Sequence, residues 1–231
     1  MMESLCLCEC GLQRPVNQDR AGGWIRNDTG LFFVADGVGG HFAGERASQL
    51  VAGELAHWWG RGRQLPLSTA VEQLRQLAER CDGRIRLATP PGQLCATTLV
   101  LLWVSSGAYA LLWAGDSRCY QARRRLLRTT VWQLTRDDVV YGTADQGKLS
   151  QAVGAGGCQV NIRCGQVDRH TLFALCSDGV YNYCGAETLK QQLAAACRTG
   201  KLLPAMQAIE HGVLANQAPD NYSLILVRPS S

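Results

Sequence analysis

The chain has 231 residues, a formal net charge of +4, and 46% hydrophobic against 18% charged residues. This length can bury a full core, and this balance is typical of globular proteins rather than disordered chains. The mild charge and the lack of any run of about 18 apolar residues argue against nucleic-acid-binding and membrane-spanning proteins.

The first segment, residues 4–9, alternates between apolar and polar positions and predicts a strand. Cys6, Cys8 and Cys10 alternate along it, a spacing that either a zinc site or one face of a buried strand explains. We favour the buried strand, because there is no C-x-x-C pair and no nearby histidine. With eleven cysteines and no signal-like N-terminus, we expect reduced thiols and a cytoplasmic location.

The rest of the chain alternates between apolar strands and paired helices. Residues 31–35 form an apolar run that stops at Asp36, which predicts a buried strand and a tight turn. Apolar residues at helical spacing predict one helix from Ala47 to Trp59 and another from Val71 to Ile85. Further strands are predicted at 96–104, 108–114, 118–123, 130–134, 160–167, 172–176 and 222–227, a short helix near 148–153, and two helices at 186–197 and 202–214.

Helices grouped in pairs between runs of strands predict antiparallel sheets that are covered by helices. The predicted fold class is α+β, a four-layer α/β/β/α sandwich of two mainly antiparallel sheets flanked by helix pairs. The sequence has no repeat and no linker, so we expect one domain over residues 1–231, with a short flap-like segment at 137–157. The basic cluster Arg123, Arg124, Arg125 and Arg128 is interpreted as a solvated hairpin tip in preference to a binding patch.

Aspartates recur at the ends of the apolar runs. Asp36, Asp116 and Asp178 each follow a predicted strand. Asp220 precedes the last strand, and Asp19 lies in the loop after the first. A single Asp-Gly is more often only a turn, but several buried carboxylates together need positive charge nearby. Oxygen ligands without histidine or cysteine favour Mg²⁺ or Mn²⁺, so we predict that these strand ends converge on metal ions.

Seven short motifs, in order along residues 14–227, resemble the protein phosphatase 2C family of metal-dependent phosphatases in its compact bacterial form. They are R-P-V-N-Q-D from Arg14 to Asp19, A-D-G-V-G-G-H from Ala35 to His41, A-T-T from Ala96 to Thr98, G-D-S-R from Gly115 to Arg118, L-T-R-D-D from Leu134 to Asp138, S-D-G from Ser177 to Gly179, and D-N-Y-S from Asp220 to Ser223. One such motif is a weak signal, but the ordered set is specific.

The resemblance implies a binuclear centre of Mn²⁺ or Mg²⁺ at one end of the sandwich. It implies that Asp36 bridges both metals and that Asp178 and Asp220 hold the first. The Gly37 carbonyl would serve the second metal, with Asp19 supporting the cluster.

The resemblance also implies roles around this centre. Asp116 would hold a third, weaker metal, Arg14 would clamp the substrate phosphate, and His41 is the candidate general acid. Thr97 and Thr98 are interpreted as sheet residues that support the site. Gln18 stands where many family members have a glutamate ligand to the second metal, so this site would bind through water.

The implied function is a serine/threonine protein phosphatase, in which hydroxide bridging two metals attacks the phosphorus of phosphoserine or phosphothreonine. The implied partners are a phosphorylated protein substrate and a cognate Ser/Thr kinase, in signalling or secretion-system regulation. We expect a monomer that binds neither nucleic acid nor membrane. The alternative, which Gln18 supports, is a catalytically weak phosphatase-like module that binds phosphoproteins as a regulator.

Two other phosphate-related patterns are rejected on sequence grounds. Cys119 and Arg125 satisfy the C-x5-R spacing of cysteine-based phosphatases, but the residues between them contain no glycine and lie in a β-rich stretch. Gly39 to Gly44 has the spacing of a nucleotide phosphate loop, but Glu45 replaces the required lysine.

Overall fold

The computed structural model describes residues 1–39, 43–62, 65–126, 128–142 and 147–229. Its strands are β1 (Glu3–Glu9), β2 (Arg20–Arg26), β3 (Thr29–Ala35), β4 (Gly37–Gly39), β5 (Cys95–Thr97), β6 (Leu99–Ser105), β7 (Ala108–Ala114), β8 (Arg118–Arg125), β9 (Arg128–Gln133), β10 (Asn161–Gln166), β11 (Thr171–Cys176) and β12 (Tyr222–Arg228). Its helices are α1 (Ala43–Gly60), α2 (Leu67–Ala88), α3 (Asp178–Tyr181), α4 (Ala186–Thr199) and α5 (Leu202–Ala215).

Two five-stranded antiparallel sheets form the centre of the described structure. The first sheet has the strand order β1–β12–β11–β8–β9, and the second has the order β10–β7–β6–β3–β2. The short strands β4 and β5 pair with each other outside both sheets. None of the described helices is long and apolar enough to cross a bilayer.

Alternation along the strands divides the apolar side chains between three core layers. In β3, Leu31 and Phe33 pack with the helices α1 and α2, whereas Phe32 and Val34 pack between the two sheets. Helices α4 and α5 cover the outer face of the first sheet in the same way. The predicted four-layer α/β/β/α sandwich is therefore confirmed.

Three predicted elements differ from the structure. The strand predicted at 96–104 is two strands, because Thr98 leaves the ladder between β5 and β6. The helix predicted near 148–153 is wrong, since Leu149 and Val153 each form an isolated β-bridge instead. The first strand is correct in position, but β1 lies at a sheet edge with Cys6 exposed, so it is not a buried strand.

Strand β2 and helix α3 are absent from the sequence prediction for different reasons. Gly22 and Gly23 interrupt any apolar alternation in β2, which pairs with β3 through its backbone. Helix α3 has four residues, too few to give a helical period. All eleven cysteines, each within the described ranges, are free thiols.

The register of the ladders brings the strand ends with aspartates to one end of the sandwich. Arg20 pairs with Ala35, so the start of β2 meets the end of β3. Leu99 pairs with Ala114 at the end of β7. In the first sheet, Cys176 pairs with both Arg118 and Leu224. The loops that carry Asp19, Asp36, Asp116, Asp178 and Asp220 therefore leave the two sheets side by side.

Candidate metal centre

Asp19 lies in the middle of this end of the sandwich and links the two sheets. Its side chain is buried, with 1% of the residue exposed. The hydroxyls of Ser177 and Ser223 each donate a hydrogen bond of 2.7 Å to its Oδ2 atom. Its Oδ1 atom is buried without a hydrogen-bond partner, which is costly for a carboxylate unless a cation lies nearby.

Asp36 interacts electrostatically with Asp19, Asp116, Asp178 and Asp220, and so lies at the centre of the group. Its backbone is fixed by Thr97, the last residue of β5, and by Thr98, which follows it. The Asp36 amide donates to Thr98 Oγ1 at 3.0 Å, and Thr97 Oγ1 donates to the Asp36 carbonyl at 2.9 Å. The supporting role predicted for these threonines thus has a definite form: they position the residue at the centre of the carboxyl cluster.

Burial and the charges of neighbouring aspartates raise the pKa values of Asp19, Asp36, Asp116 and Asp178. Burial is the largest cause for each group, followed by the charges of the neighbouring aspartates in Asp36, Asp116 and Asp178. The pKa values of Asp19, Asp116 and Asp178 rise to about 6, and that of Asp36 rises well above its usual range. Several carboxyl groups with raised pKa values form a site that gains stability from bound positive charge.

Arg14 contributes a positive charge from the opposite end of the chain. Its guanidinium forms a two-point contact with Asp220, with Nη2–Oδ2 and Nε–Oδ1 distances of 2.9 Å. The half-exposed Arg14 side chain also lies within electrostatic range of Asp36 and Asp178. The predicted phosphate clamp is therefore beside the carboxyl cluster, but it is engaged with a predicted metal ligand.

Asn221 ties the loop that carries Asp19 to the strand that follows Asp220. Its Oδ1 atom accepts the Gln18 amide at 2.8 Å, and its Nδ2 atom donates to the Val16 carbonyl at 3.1 Å. From the other side, Ser48 in α1 donates to the Gln18 carbonyl at 2.6 Å. This loop is thus held between the two sheets by side chains from distant segments.

Two glycines are required by the close approach of backbone at the site. A Cβ atom on Gly37 would lie 2.7 Å from the Gln18 carbonyl oxygen and would also collide with Gly44. A Cβ atom on Gly179 would collide with the Asn221 carbonyl. The glycine after Asp36 and the glycine after Asp178 therefore allow the loops to pack closely enough for the carboxyl groups to meet.

Asp116 is held at the edge of the cluster by a stack of side chains. Tyr181 donates from its hydroxyl to the Asp116 carbonyl at 3.2 Å. The guanidinium of Arg118 lies 3.5 Å from the centre of the Tyr181 ring and pairs with Asp137 at 2.7 Å. Asp116 interacts electrostatically with Asp178, so it belongs to the same site.

Asp138, the second aspartate of the L-T-R-D-D motif, supports the turn at Gly115 that precedes Asp116. Asp138 Oδ2 accepts the Gly115 amide at 3.0 Å and the Asn161 side-chain amide at 3.0 Å. The Asp138 amide in turn donates to the Gly115 carbonyl at 3.0 Å. Asp138 therefore acts as a structural brace for the turn before Asp116 and does not contact the cluster itself.

The residues that sequence reasoning did not assign are the donors between the aspartates. Ser177 and Asn221 are direct neighbours of Asp178 and Asp220, and Ser223 is three residues after Asp220, all inside the motifs S-D-G and D-N-Y-S. The available signal was that Asp178 and Asp220 each have a serine or asparagine as a direct neighbour, a feature that Asp116 shares through Ser117. Tyr181 had no such signal, because its position depends on the short helix α3.

The donor set fits hard divalent cations. It consists of carboxylate and carbonyl oxygens, which Mg²⁺ and Mn²⁺ prefer, and it includes the buried, unpaired Oδ1 atom of Asp19. Within the described ranges, no three His, Cys, Asp or Glu side chains are placed so that they could hold one metal ion together. Asp220 is instead paired with Arg14, a contact that a cation would replace.

Two further sequence predictions concern His41 and Cys119. His41, the candidate general acid, lies outside the described residues. Cys119 is fully buried on β8, and burial raises its pKa. Because Arg125 lies at the far end of the same strand, roughly 20 Å along it, the pair cannot form the phosphate-binding loop of a cysteine-based phosphatase.

Comparison with known proteins supports one family. The sequence model for Protein phosphatase 2C matches residues 13–209. The serine/threonine phosphatase Stp of Listeria monocytogenes is 29% identical over 210 residues, which cover 82% of this chain and 81% of the relative. The serine/threonine protein phosphatase PstP of Mycobacterium tuberculosis is 26% identical over 94% of this chain, which spans 43% of that relative's length.

Solved structures share the fold over almost the whole chain. The structure of PppA, described as a key regulatory component of T6SS in Pseudomonas aeruginosa, superimposes with a TM-score of 0.81 at 26% identity, covering 99% of this chain and 97% of PppA. The catalytic domain of PstP in complex with two manganese ions gives a TM-score of 0.78 at 24% identity, covering 100% and 99% of the two chains. The chain therefore belongs to the protein phosphatase 2C family.

Proposed function

We propose that this chain is a metal-dependent serine/threonine protein phosphatase. The observation that carries the proposal is the carboxyl cluster, in which Asp36 interacts with Asp19, Asp116, Asp178 and Asp220 although these residues come from separate segments of the chain. A binding module for phosphoproteins would need positive charge at this place, whereas a buried group of carboxylates repels phosphate unless cations are bound.

The proposed ligands are those that the family resemblance implies. Asp36 is central and would contact both cations, Asp178 and Asp220 would hold the first, and the Gly37 carbonyl would face the second. Asp19 would support the cluster, because its Oδ2 atom is already taken by two serine hydroxyls. Asp116, at the edge, is the proposed ligand of a third and weaker cation. Either Mn²⁺ or Mg²⁺ suits these oxygens.

The chemistry requires both charge neutralisation and an activated water. When bound, two divalent cations neutralise phosphoryl oxygens and lower the pKa of water from about 15.7 toward about 7. Arg14 lies beside the cluster and would bind two oxygens of the substrate phosphate through its planar guanidinium. This requires Arg14 to release Asp220, which would at the same moment become available to a cation. His41 is the proposed donor of a proton to the leaving alkoxide.

The substrate and partner proposals are supported by the relatives. Stp and PstP are named serine/threonine phosphatases, and PppA is described as a regulator of a secretion system. We propose that this chain likewise removes phosphate from phosphoserine or phosphothreonine in a protein and opposes a Ser/Thr kinase in signalling or secretion. A monomeric, cytoplasmic protein of one domain remains our prediction.

The test is hydrolysis of p-nitrophenyl phosphate and of a phosphothreonine peptide, with Mn²⁺, with Mg²⁺ and with EDTA. We expect turnover with metal and none with EDTA, and loss of turnover in Asp36→Ala while the circular dichroism spectrum is retained. Full activity of Asp36→Ala would disprove its bridging role. Binding of the phosphopeptide without turnover under any metal and pH would instead support the regulatory module.

A further inference from the structure

The β8–β9 hairpin carries basic side chains at its far end from the carboxyl cluster. Arg125 pairs with Arg128 across the two-residue loop, and Arg123 pairs with Thr130. Arg118 begins β8 beside Asp116, so Arg125 lies roughly 23 Å further along the strand. Contacts at this tip are therefore too distant to form part of the phosphate-binding site.

One face of the hairpin forms an open groove of about 690 Å³. Alternate residues of both strands line it, with the turn residue at its end, and they are Arg123, Arg125, Leu126, Arg128, Thr130 and Trp132. The opposite face behaves differently, since Ala122 and Val131 pack against the core formed with α4 and α5. Arg124 is on that opposite face, near Cys197 of α4.

The charge in the groove is largely unpaired. Arg123 forms an ion pair of 2.7 Å with Asp168. Within the described ranges, Arg125 and Arg128 form no ion pair and both are exposed. A groove with three guanidinium groups and one carboxylate along its edge is complementary to a ligand with several negative charges.

The turn between β8 and β9 contains a leucine in a conformation that is unfavourable for this residue type. Leu126 has a φ of 50° and is 93% exposed. Two-residue hairpin loops favour asparagine or glycine in this left-handed conformation, because a larger side chain is strained there. A strained and exposed leucine at the end of a basic groove is consistent with a contact residue for a partner.

We propose that this groove docks an acidic segment of a protein partner. The arginines would pair with glutamate, aspartate or phosphate groups, while Leu126 and the half-buried Trp132 would contact apolar side chains of the same segment. The concave shape favours an extended peptide over a flat membrane surface. This docking does not depend on the proposed phosphatase activity, because the groove and the carboxyl cluster lie at opposite ends of β8.

The test measures fluorescence polarisation of a fluorescein-labelled oligoglutamate peptide, with oligoglutamine as the uncharged control. We expect the wild-type protein to bind oligoglutamate and Arg125→Glu to weaken that binding about tenfold or more. Arg124→Glu is the matched control, since it makes the same charge change on the neighbouring residue of the opposite face, and it should bind within about twofold of wild type. Equal loss in both variants would show only a net-charge effect and would overturn the proposal.

Two further measurements identify the kind of molecule that binds in the groove. Leu126→Asn should relieve the turn and melt at the same or a higher temperature, yet bind an acidic peptide that contains leucine less tightly than wild type does. Phosphatidylserine vesicles and single-stranded DNA are the alternative ligands. If either bound in a way that depended on Arg125 while the peptide did not bind, the proposal of a protein partner would be overturned. Hydrolysis of p-nitrophenyl phosphate should be the same in all three variants, so a failure of docking is distinguishable from a failure of the metal centre.

Discussion

Arg14 and Asp220 are 206 residues apart in the sequence and form a two-point ion pair with distances of 2.9 Å. Both carboxylate oxygens of Asp220 are therefore occupied by a guanidinium that is itself proposed to bind phosphate. A cation and Arg14 compete for Asp220, and this competition links metal binding to the release of the phosphate clamp.

Replacing Arg14 separates these two roles. In Arg14→Ala, Asp220 loses its competitor, so Mn²⁺ should bind at least as tightly as in wild type when measured by calorimetry. The same variant should lose about 100-fold in kcat/KM for p-nitrophenyl phosphate, because the bidentate contact to phosphate is gone. Arg14→Lys keeps the charge but not the planar pair and should recover little. Weaker Mn²⁺ binding with unchanged kcat/KM would contradict the arrangement.

The raised pKa values of the carboxyl cluster predict how stability depends on pH without metal. Asp19, Asp116 and Asp178 have folded-state pKa values of about 6, above the value of about 3.9 for an unfolded aspartate. The folded state holds these protons more tightly, so their stabilising contribution is complete below the unfolded value and is lost as the pH rises through about 6. For one such group the loss is on the order of 3 kcal/mol.

Thermal melting in EDTA between about pH 5 and pH 7 measures this loss. The melting temperature should fall over that interval, and Mn²⁺ should restore it at the upper end. Asp36→Asn should flatten the fall, because it removes the central negative charge, whereas Asp28→Asn, away from the cluster, should not. A melting temperature in EDTA that stayed constant or rose through this range would refute the repulsion argument.

The serine hydroxyls on Asp19 predict an effect on metal affinity rather than on the fold. Ser223→Ala removes one of the two donors to Asp19 Oδ2, so the carboxylate is less well oriented for the cluster. We expect Mn²⁺ affinity to fall about tenfold, with recovery in Ser223→Thr. Ser105→Ala, at the opposite end of the sandwich, is the control. Unchanged Mn²⁺ affinity in Ser223→Ala would mean that Asp19 does not support the centre.

Asp82 of α2 anchors the C-terminal end of the flap-like segment. Its carboxylate, in a residue that is 6% exposed, accepts the amides of Gly154, Gly156 and Gly157 at 2.8, 3.2 and 3.2 Å. Asp82→Ala leaves these donors without a partner and should cost about 3 kcal/mol in urea unfolding. Hydrogen exchange at residues 154–157 should accelerate first.

The control for Asp82 is on the same helix. Glu79→Ala changes an exposed ion pair with Arg75 and should alter the unfolding free energy by less than about 0.5 kcal/mol. If exchange at residues 154–157 were the same in Asp82→Ala and in wild type, the aspartate would not be the anchor of that segment.

Elements with a strong apolar period were predictable, and elements that depend on partners were not. Strand β3 is buried along its whole length, and the apolar run 31–35 predicted its end correctly. Strand β2 was missed, because its glycines give no pattern and its backbone is held by β3. The helix predicted at 148–153 does not form, since this stretch bridges to Thr97 and to Val139 instead.

The sequence by itself determined which residue types carry the chemistry and where they lie relative to the strands, because strand ends and glycine turns are local properties of the chain. Tertiary structure decided which groups meet. The orphaned oxygen of Asp19, the pairing of Arg14 with Asp220 and the serine donors depend on register between segments that are far apart in sequence. Burial and charge coupling change with distances of a few ångströms, and only the packed sheets set those distances.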